Sequence, residues 1–246
     1  MNIWAECEGD KQITQINCSI TRVVESQQFA ATMSLVDTHD EQELLEQLLE
    51  ENKPQIDLEQ KHYLITTPFR YPPLKYGSRF GERHFQGIFY ASADIKTCFC
   101  ECAYYRFLFM EGMDSFPEAK KINTQHITFW VTINSNNAIK LDKSPFTNYK
   151  ELISPDNYTH TQKLGSEMRN SGVEAFSFIS ARDNSGINYG VFEQKAIISS
   201  APYRINHWQC TTSINSVIFY NHIENSSHQF LKDRFIINDI LPTPAS

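Results

Sequence analysis

Residues 77–110 read GSRFGERHFQGIFYASADIKTCFCECAYYRFLFM, and the local order of structure in this stretch sets the terms for the whole chain. Gly77-Ser78-Arg79-Phe80-Gly81 reads as a tight loop, because glycines at both ends let the backbone turn sharply and approach a neighbour closely. Gly87-Ile88-Phe89-Tyr90 follows as a short apolar strand. Ser92 has the chemistry of a helix N-cap, and Ala93–Met110 is a long, mostly apolar helix whose charges are chiefly Lys96, Glu101 and Arg106.

Outward from this stretch, the pattern mixes short strands with inserted helices. On the N-terminal side, Asp40–Asn52 is helical, with Leu44, Leu45, Leu48 and Leu49 as a stripe and Pro54 as a stop. Its opposite face carries Glu41, Glu43, Glu46, Glu50 and Glu51, which makes it either a solvated surface or a partner-docking face. Pro68, Pro72 and Pro73 argue against regular structure around Phe69-Arg70-Tyr71. On the C-terminal side, His126–Ile133, Val173–Ser180, Tyr189–Ile198 and Trp208–Tyr220 read as strands, and Tyr158–Asn170 as a helix closed by Ser171-Gly172. This order predicts a compact α+β mixed-sheet domain with helices packed around the sheet, rather than a regular βαβ alternation. Domain boundaries are expected at 18–222, with an acidic helical segment near 38–53, a peripheral C-terminal segment over 223–246, and fraying from Leu241 to Ser246.

Composition narrows the function. The chain has 246 residues, 41% of them apolar, and a net charge of −7, so it carries no basic field for direct binding of nucleic acid. Apolar runs such as Phe107–Met110 fall far short of the roughly 20 residues of a membrane-crossing helix. Met1–Asp10 lacks a basic region before an apolar stretch, which makes a cytoplasmic location the simplest expectation. The six cysteines, three of them clustered at 98, 100 and 102, do not form a disulfide framework pattern, and free thiols are expected. Alternate residues on a helix point about 200° apart, so these three cannot converge on one metal ion, and no metal is expected. No two of the nine glycines are separated by a single residue, which removes GxGxxG, and GxxxxGK[ST], HExxH, CxxC and GxSxG are also absent.

Five side chains stand out. Glu101 is a lone carboxylate among cysteines and aromatics, a costly placement unless it is paired or faces a cavity; the plain alternative is a polar helix stripe shared with Arg106. Arg79, in its glycine-flanked loop, suits a phosphate or pyrophosphate, as a guanidinium fork beside exposed backbone N–H groups does, and Arg70 in its proline-rich frame is similar. A plain surface arginine is the simpler alternative at either position. Tyr90 ends its strand with a ring that either stacks on a ligand or packs on the core. Ser180 ends an apolar strand before Ala181-Arg182-Asp183, where its hydroxyl faces a cleft or starts a turn.

Arg79, Tyr90 and Glu101 follow one another at intervals of 11 residues in loop, strand, helix order, and with Ser180-Ala-Arg-Asp and the later Gly190-Val-Phe they resemble the RES-domain family. The loop Gly77–Gly81 is similar to that family's GGRW-type loop, with Ser78 in place of the second glycine and Phe80 in place of tryptophan. Arg22 in Thr21-Arg22-Val-Val is similar to the arginine on its opening strand. The resemblance implies a fold similar to mono-ADP-ribosyltransferases and NAD+ as substrate, with no further cofactor and inorganic phosphate as an optional co-substrate. It also implies service as the toxin of a toxin–antitoxin pair with an Xre-like, DNA-binding antitoxin. It assigns Arg79, Tyr90, Glu101 and Ser180 to catalysis, and Arg22, Arg70, Gly77, Ser78 and Phe80 to binding NAD+. On this reading the enzyme is an NAD+ phosphorylase or glycohydrolase. The alternatives are a mono-ADP-ribosyltransferase that modifies a protein, and a non-catalytic module whose leucine stripe recruits a partner helix. Independently of these, the stripe leaves a homo-oligomer or a heteromeric toxin–antitoxin complex as the expected assembly.

Overall fold

The computed structural model describes residues 2–26, 36–51, 61–71, 76–113 and 121–244. Asn52 and Pro54 at the expected end of the acidic helix, together with Pro72 and Pro73, lie outside these residues. The elements in chain order are α1 (Ile3–Glu6), β1 (Thr14–Glu25), α2 (His39–Glu51), α3 (Tyr63–Arg70), β2 (Phe89–Ser92), α4 (Ile95–Glu111), β3 (Ile122–Lys140), α5 (Thr159–Asn170), β4 (Ala175–Ile179), β5 (Ile187–Val191), β6 (Tyr203–Thr212), β7 (Ser216–Asn221) and β8 (Ser226–Leu231). The fold is α+β, with an eight-stranded sheet in the order β1-β2-β5-β4-β3-β6-β7-β8.

The long strand β3 organises this sheet. Along one edge it pairs antiparallel with β1 from Thr14↔Ala138 to Glu25↔His126. Along the other edge its first half pairs antiparallel with β6, and its last residues, Ala138–Lys140, pair parallel with β4. Since β1 also meets β2 at Thr21↔Ser92, the pairings run β1–β2–β5–β4–β3 and return to β1. The strands β6, β7 and β8 continue the sheet away from that ring.

Three apolar clusters hold the helices to this frame. Ile65 and Phe69 of α3 pack with Ile20, Phe89, Phe129 and Val131 of the ring strands. Leu164 and Met168 of α5 pack with Phe80 and Phe176. The face of α4 that carries Phe99, Ala103 and Phe107 lies against Trp208, Val217 and Phe219. Phe99 stacks on Phe219 at 4.2 Å between ring centroids and meets Trp208 edge-on at 4.8 Å, geometries that add to simple area burial.

Several sequence expectations are corrected. The N-cap of α4 is Asp94, whose carboxylate accepts from the Thr97 N–H at 2.9 Å, while Ser92 ends β2 and spends its hydroxyl on Asn188. The segment around Phe69 is helical despite Pro68, because proline removes only one hydrogen bond from this two-turn helix and burial of Ile65 and Phe69 offsets it. Trp208–Tyr220 is a hairpin rather than one strand; the Ser213 hydroxyl accepts from the Ser216 N–H at 3.1 Å and closes the turn. Tyr189–Ile198 likewise stops at Val191, where the N–H groups of Phe192 and Glu193 both turn back to the Glu174 carbonyl. The C-terminal segment is not peripheral, because β8 pairs with β7 and Phe230, Phe235 and Leu241 are buried in the α4 cluster. In α2, Leu44, Leu48 and Leu49 are exposed.

His126 on β3 is buried, edge-on to Phe219 at 5.6 Å. Burial, helped by the positive charge of Arg106, pushes its imidazole down to about 4. The folded chain therefore carries this ring neutral where the unfolded chain, with a value near 6.5, already binds a proton. Its contribution to stability is present above about pH 6.5 and is lost as the pH falls toward 4. Denaturant titrations across that window are expected to show His126→Gln with a flatter pH dependence than the parent, by up to about 3 kcal/mol.

Candidate active site

Glu101 sits on the second turn of α4 and lines a cavity of about 740 Å³, together with Arg22, Ser78, Arg79, Tyr90 and Asn188. That volume lies within the roughly 300–1,000 Å³ typical of small-molecule and cofactor sites. Two donors converge on a single oxygen of the carboxylate: the Ser180 hydroxyl and the Asn188 amide, each 2.6 Å from Oε1. Hydrogen bonds this short suit an ionised acceptor. Both fall on Oε1, so Oε2 is the oxygen left to meet a bound molecule.

Both donors are fixed from behind. Ser180 directly follows β4, and its Oγ accepts from the N–H groups of Arg182 at 3.0 Å and Asp183 at 2.9 Å. With both acceptor positions filled, the hydroxyl has its one hydrogen to give, and Glu101 takes it. Asn188 on β5 accepts at Oδ1 from the Ser92 hydroxyl at 2.7 Å, which sets the amide so that Nδ2 faces Glu101. Ser180 is buried behind the carboxylate and outside the cavity lining, which makes it a positioning residue rather than a group that meets ligand.

The loop before β2 builds the opposite wall. Gly77 has φ +77°, a left-handed conformation that favours glycine, and the Ser78 N–H donates to the Gly81 carbonyl at 2.7 Å to close the turn. The Tyr90 hydroxyl accepts from the Phe80 N–H at 3.0 Å and lies 3.0 Å from Ser78 Oγ. Burial pushes this phenol up to about 12, so it is neutral at physiological pH. Arg79 donates to the Ser154 carbonyl at 2.9 Å and lies over the Tyr158 ring at 4.5 Å. One hydrogen bond leaves most of its five N–H donors free for an anion. Arg22 on β1 donates to the Tyr90 carbonyl at 2.6 Å and rests over Phe89 at 5.1 Å. Desolvation lowers its proton affinity, and its Nε has no hydrogen-bond partner among the described residues.

The structure thus brings together Arg22, Gly77, Ser78, Arg79, Tyr90 and Glu101 around one cavity, with Ser180 behind the carboxylate. It does not bring Phe80 or Arg70 there. Phe80 turns into the core, edge-on to Phe176 and Phe178 at 4.8 and 4.9 Å, where its ring holds the loop in place. Arg70 ends α3 and is absent from the cavity lining. Sequence reasoning missed Asn188, Tyr105, Tyr158 and Pro244, all of which line the cavity. Asn188 carried a usable signal, since an asparagine inside a short apolar strand is disfavoured there and needs a partner once buried.

The family model of the RES domain matches residues 55–213. The chain belongs to the RES-domain family. The matched residues include Arg79, Tyr90, Glu101, Ser180 and Asn188, whereas Arg22 and the segment after residue 213 lie beyond them. No curated protein matches the chain. Among solved structures, the chain is similar in fold to one from M. tuberculosis described as the crystal structure of the MbcT–MbcA toxin–antitoxin complex. The likeness covers 83% of this chain and 90% of that one, at 8% identity and a TM-score of 0.50.

One contact shows how the RES loop is held. A Cβ on Gly165 of α5 would stand 1.9 Å from the Phe80 carbonyl oxygen, so the bare backbone of α5 is what lets the arginine loop lie flat on the helix. Gly165→Ala is expected to lower stability by about 1–3 kcal/mol in denaturant titration, in spite of the better helix propensity of alanine.

Proposed function

We propose that the protein degrades NAD+ by cleaving the bond between nicotinamide and ribose, and that it is the toxin of a toxin–antitoxin pair. The observation that carries this reading is the Glu101 carboxylate, clamped through one oxygen by Ser180 and Asn188 and set in a cavity that also holds Arg22 and Arg79. Membership of the RES-domain family supports it, as does the fold likeness to a structure described as a toxin–antitoxin complex.

Breaking the C1′–N bond sends its electron pair to the pyridinium nitrogen, and nicotinamide leaves neutral without needing a proton. A general acid is therefore unnecessary, and one carboxylate suffices where ordinary glycoside hydrolysis uses two. Oε2 of Glu101 stabilises the positive charge that develops on the ribose and orients the incoming nucleophile. An oxygen of water or of inorganic phosphate then bonds to C1′; with water, the surplus proton passes to the carboxylate or to solvent. Arg79 and Arg22 hold the pyrophosphate, which gives an acidic protein the local positive ground that an anionic dinucleotide requires. The neutral Tyr90 phenol shapes the nicotinamide end, and its hydroxyl ties that end to the arginine loop.

Water as acceptor makes the enzyme a glycohydrolase, and phosphate makes it a phosphorylase. Chromatography of the products across a phosphate titration separates free ADP-ribose from its phosphorylated form. The partner in this reading is an antitoxin of the Xre-like, DNA-binding kind, which supplies the nucleic-acid contact that the net charge of this chain does not favour.

Glu101→Gln is expected to keep the fold and NAD+ binding while lowering the rate of nicotinamide release at least about a hundredfold. Release at the parental rate overturns the role of Glu101.

A further inference from the structure

Behind Ser180 stands Asp183, a carboxylate only 4% exposed. Its backbone N–H is one of the two that hold Ser180 Oγ, and its own carbonyl accepts from the Gly186 N–H at 2.8 Å, which closes the turn between β4 and β5. The position of the Asp183 side chain therefore bears on the atoms that aim Ser180 at Glu101.

Two side chains hold this carboxylate. Thr97 of α4 lies 3.1 Å from Oδ2, but its single hydroxyl hydrogen is shared with Asp94, which is closer at 2.8 Å. The firm partner is Arg234, whose Nη2 donates to Oδ1 at 2.8 Å. A carboxylate this buried needs an opposite charge, and without one it moves toward water or takes up a proton. Arg234 follows β8, in a part of the chain beyond the residues that match the family model.

The same C-terminal segment is anchored to the site at two further points. Leu241 is buried in the α4 cluster, and the Tyr104 hydroxyl of α4 donates to the Pro242 carbonyl. Two residues on, Pro244 lines the cavity itself. Arg182 in the Ser180 turn lies over the face of Tyr104, which links the turn to that anchor a second time.

We propose that Arg234 is a positioning residue for Glu101, acting through Asp183 and Ser180, so that the segment after β8 completes the active site. This rests on the reading of Glu101 as the group that attends NAD+ cleavage. The link itself is a matter of geometry and has a readout of its own.

Hydrogen exchange over residues 180–186 tests that link without any turnover. Arg234→Met is expected to speed exchange of the Arg182 and Asp183 amides at least about tenfold, and Arg234→Lys, which keeps the charge, to restore most of the protection. Unchanged exchange in Arg234→Met overturns the proposal whether or not NAD+ is consumed. In turnover, Arg234→Met is expected to lower kcat about tenfold with KM for NAD+ within about twofold of the parent. In an Asp183→Asn background the same substitution is expected to have little further effect. A full tenfold loss in that background, or a parental kcat in the folded single variant, also overturns it. If Arg234→Met does not fold, Asp183→Asn breaks the pair from the other side and carries the same expectations for exchange and kcat. A parental protein that releases no nicotinamide defeats the proposed reaction instead, and leaves the exchange result to decide the positioning role.

Discussion

Two hydrogen bonds of 2.6 Å onto one oxygen of Glu101 are the constraint on which the site depends. They require α4, the residue after β4 and the start of β5 to meet within hydrogen-bond reach. Each donor is usable only because a second group fixes it: two backbone N–H groups for Ser180 and the Ser92 hydroxyl for Asn188. A carboxylate left to rotate would give up this pairing and with it the direction of its second oxygen. Held in this way, it presents one acceptor to the cavity in a set orientation, which is the form of preorganisation that electrostatic catalysis uses.

The sheet exists in the form that this constraint needs. Because β3 is long enough to pair with β6 over one part and β4 over another, the sheet forks, and β2 and β5 are brought between β4 and β1. Asn188 and Ser92 are thereby register partners on β5 and β2. The aromatic packing of Phe99 on Trp208 and Phe219 then fixes the height and rotation of α4 over the other half of the sheet. Loop and helix meet at the far wall, where the backbone of Gly165 admits Phe80 and Gln162 donates to the carbonyls of Tyr76 and Ser78.

Much of this was legible in the sequence because it is local. The loop around Arg79, a short strand carrying Tyr90 and the helix bearing Glu101 each follow from glycine placement and apolar pattern over short windows, although that strand starts at Phe89 and runs to Ser92 rather than closing at Tyr90. Ser180 was readable as a strand end followed by polar turn residues. The rest depends on contacts between distant segments. Asn188 and Pro244 reach the cavity only through sheet order and C-terminal packing, and no periodicity reports either. Ser92 has the chemistry of a cap, but Asp94 reaches the helix while Ser92 is drawn to Asn188. Phe80 shares its local frame with true lining residues and differs only in where the core takes its side chain. The hairpin between β6 and β7 was hidden because Ser213 and Ser216 close a turn without glycine or proline.

The central claim is that a loop arginine and a helix carboxylate from one stretch of the chain serve the pyrophosphate and the nicotinamide ribose of one dinucleotide. A crystal structure of the Glu101→Gln protein with NAD+ tests it most directly. The account expects the nicotinamide-ribose carbon next to side chain 101, with Ser180 and Asn188 still against that side chain and the pyrophosphate at Arg79. NAD+ bound elsewhere on the protein, or bound in this cavity with its pyrophosphate at side chain 101 and its nicotinamide ribose remote from it, contradicts the account.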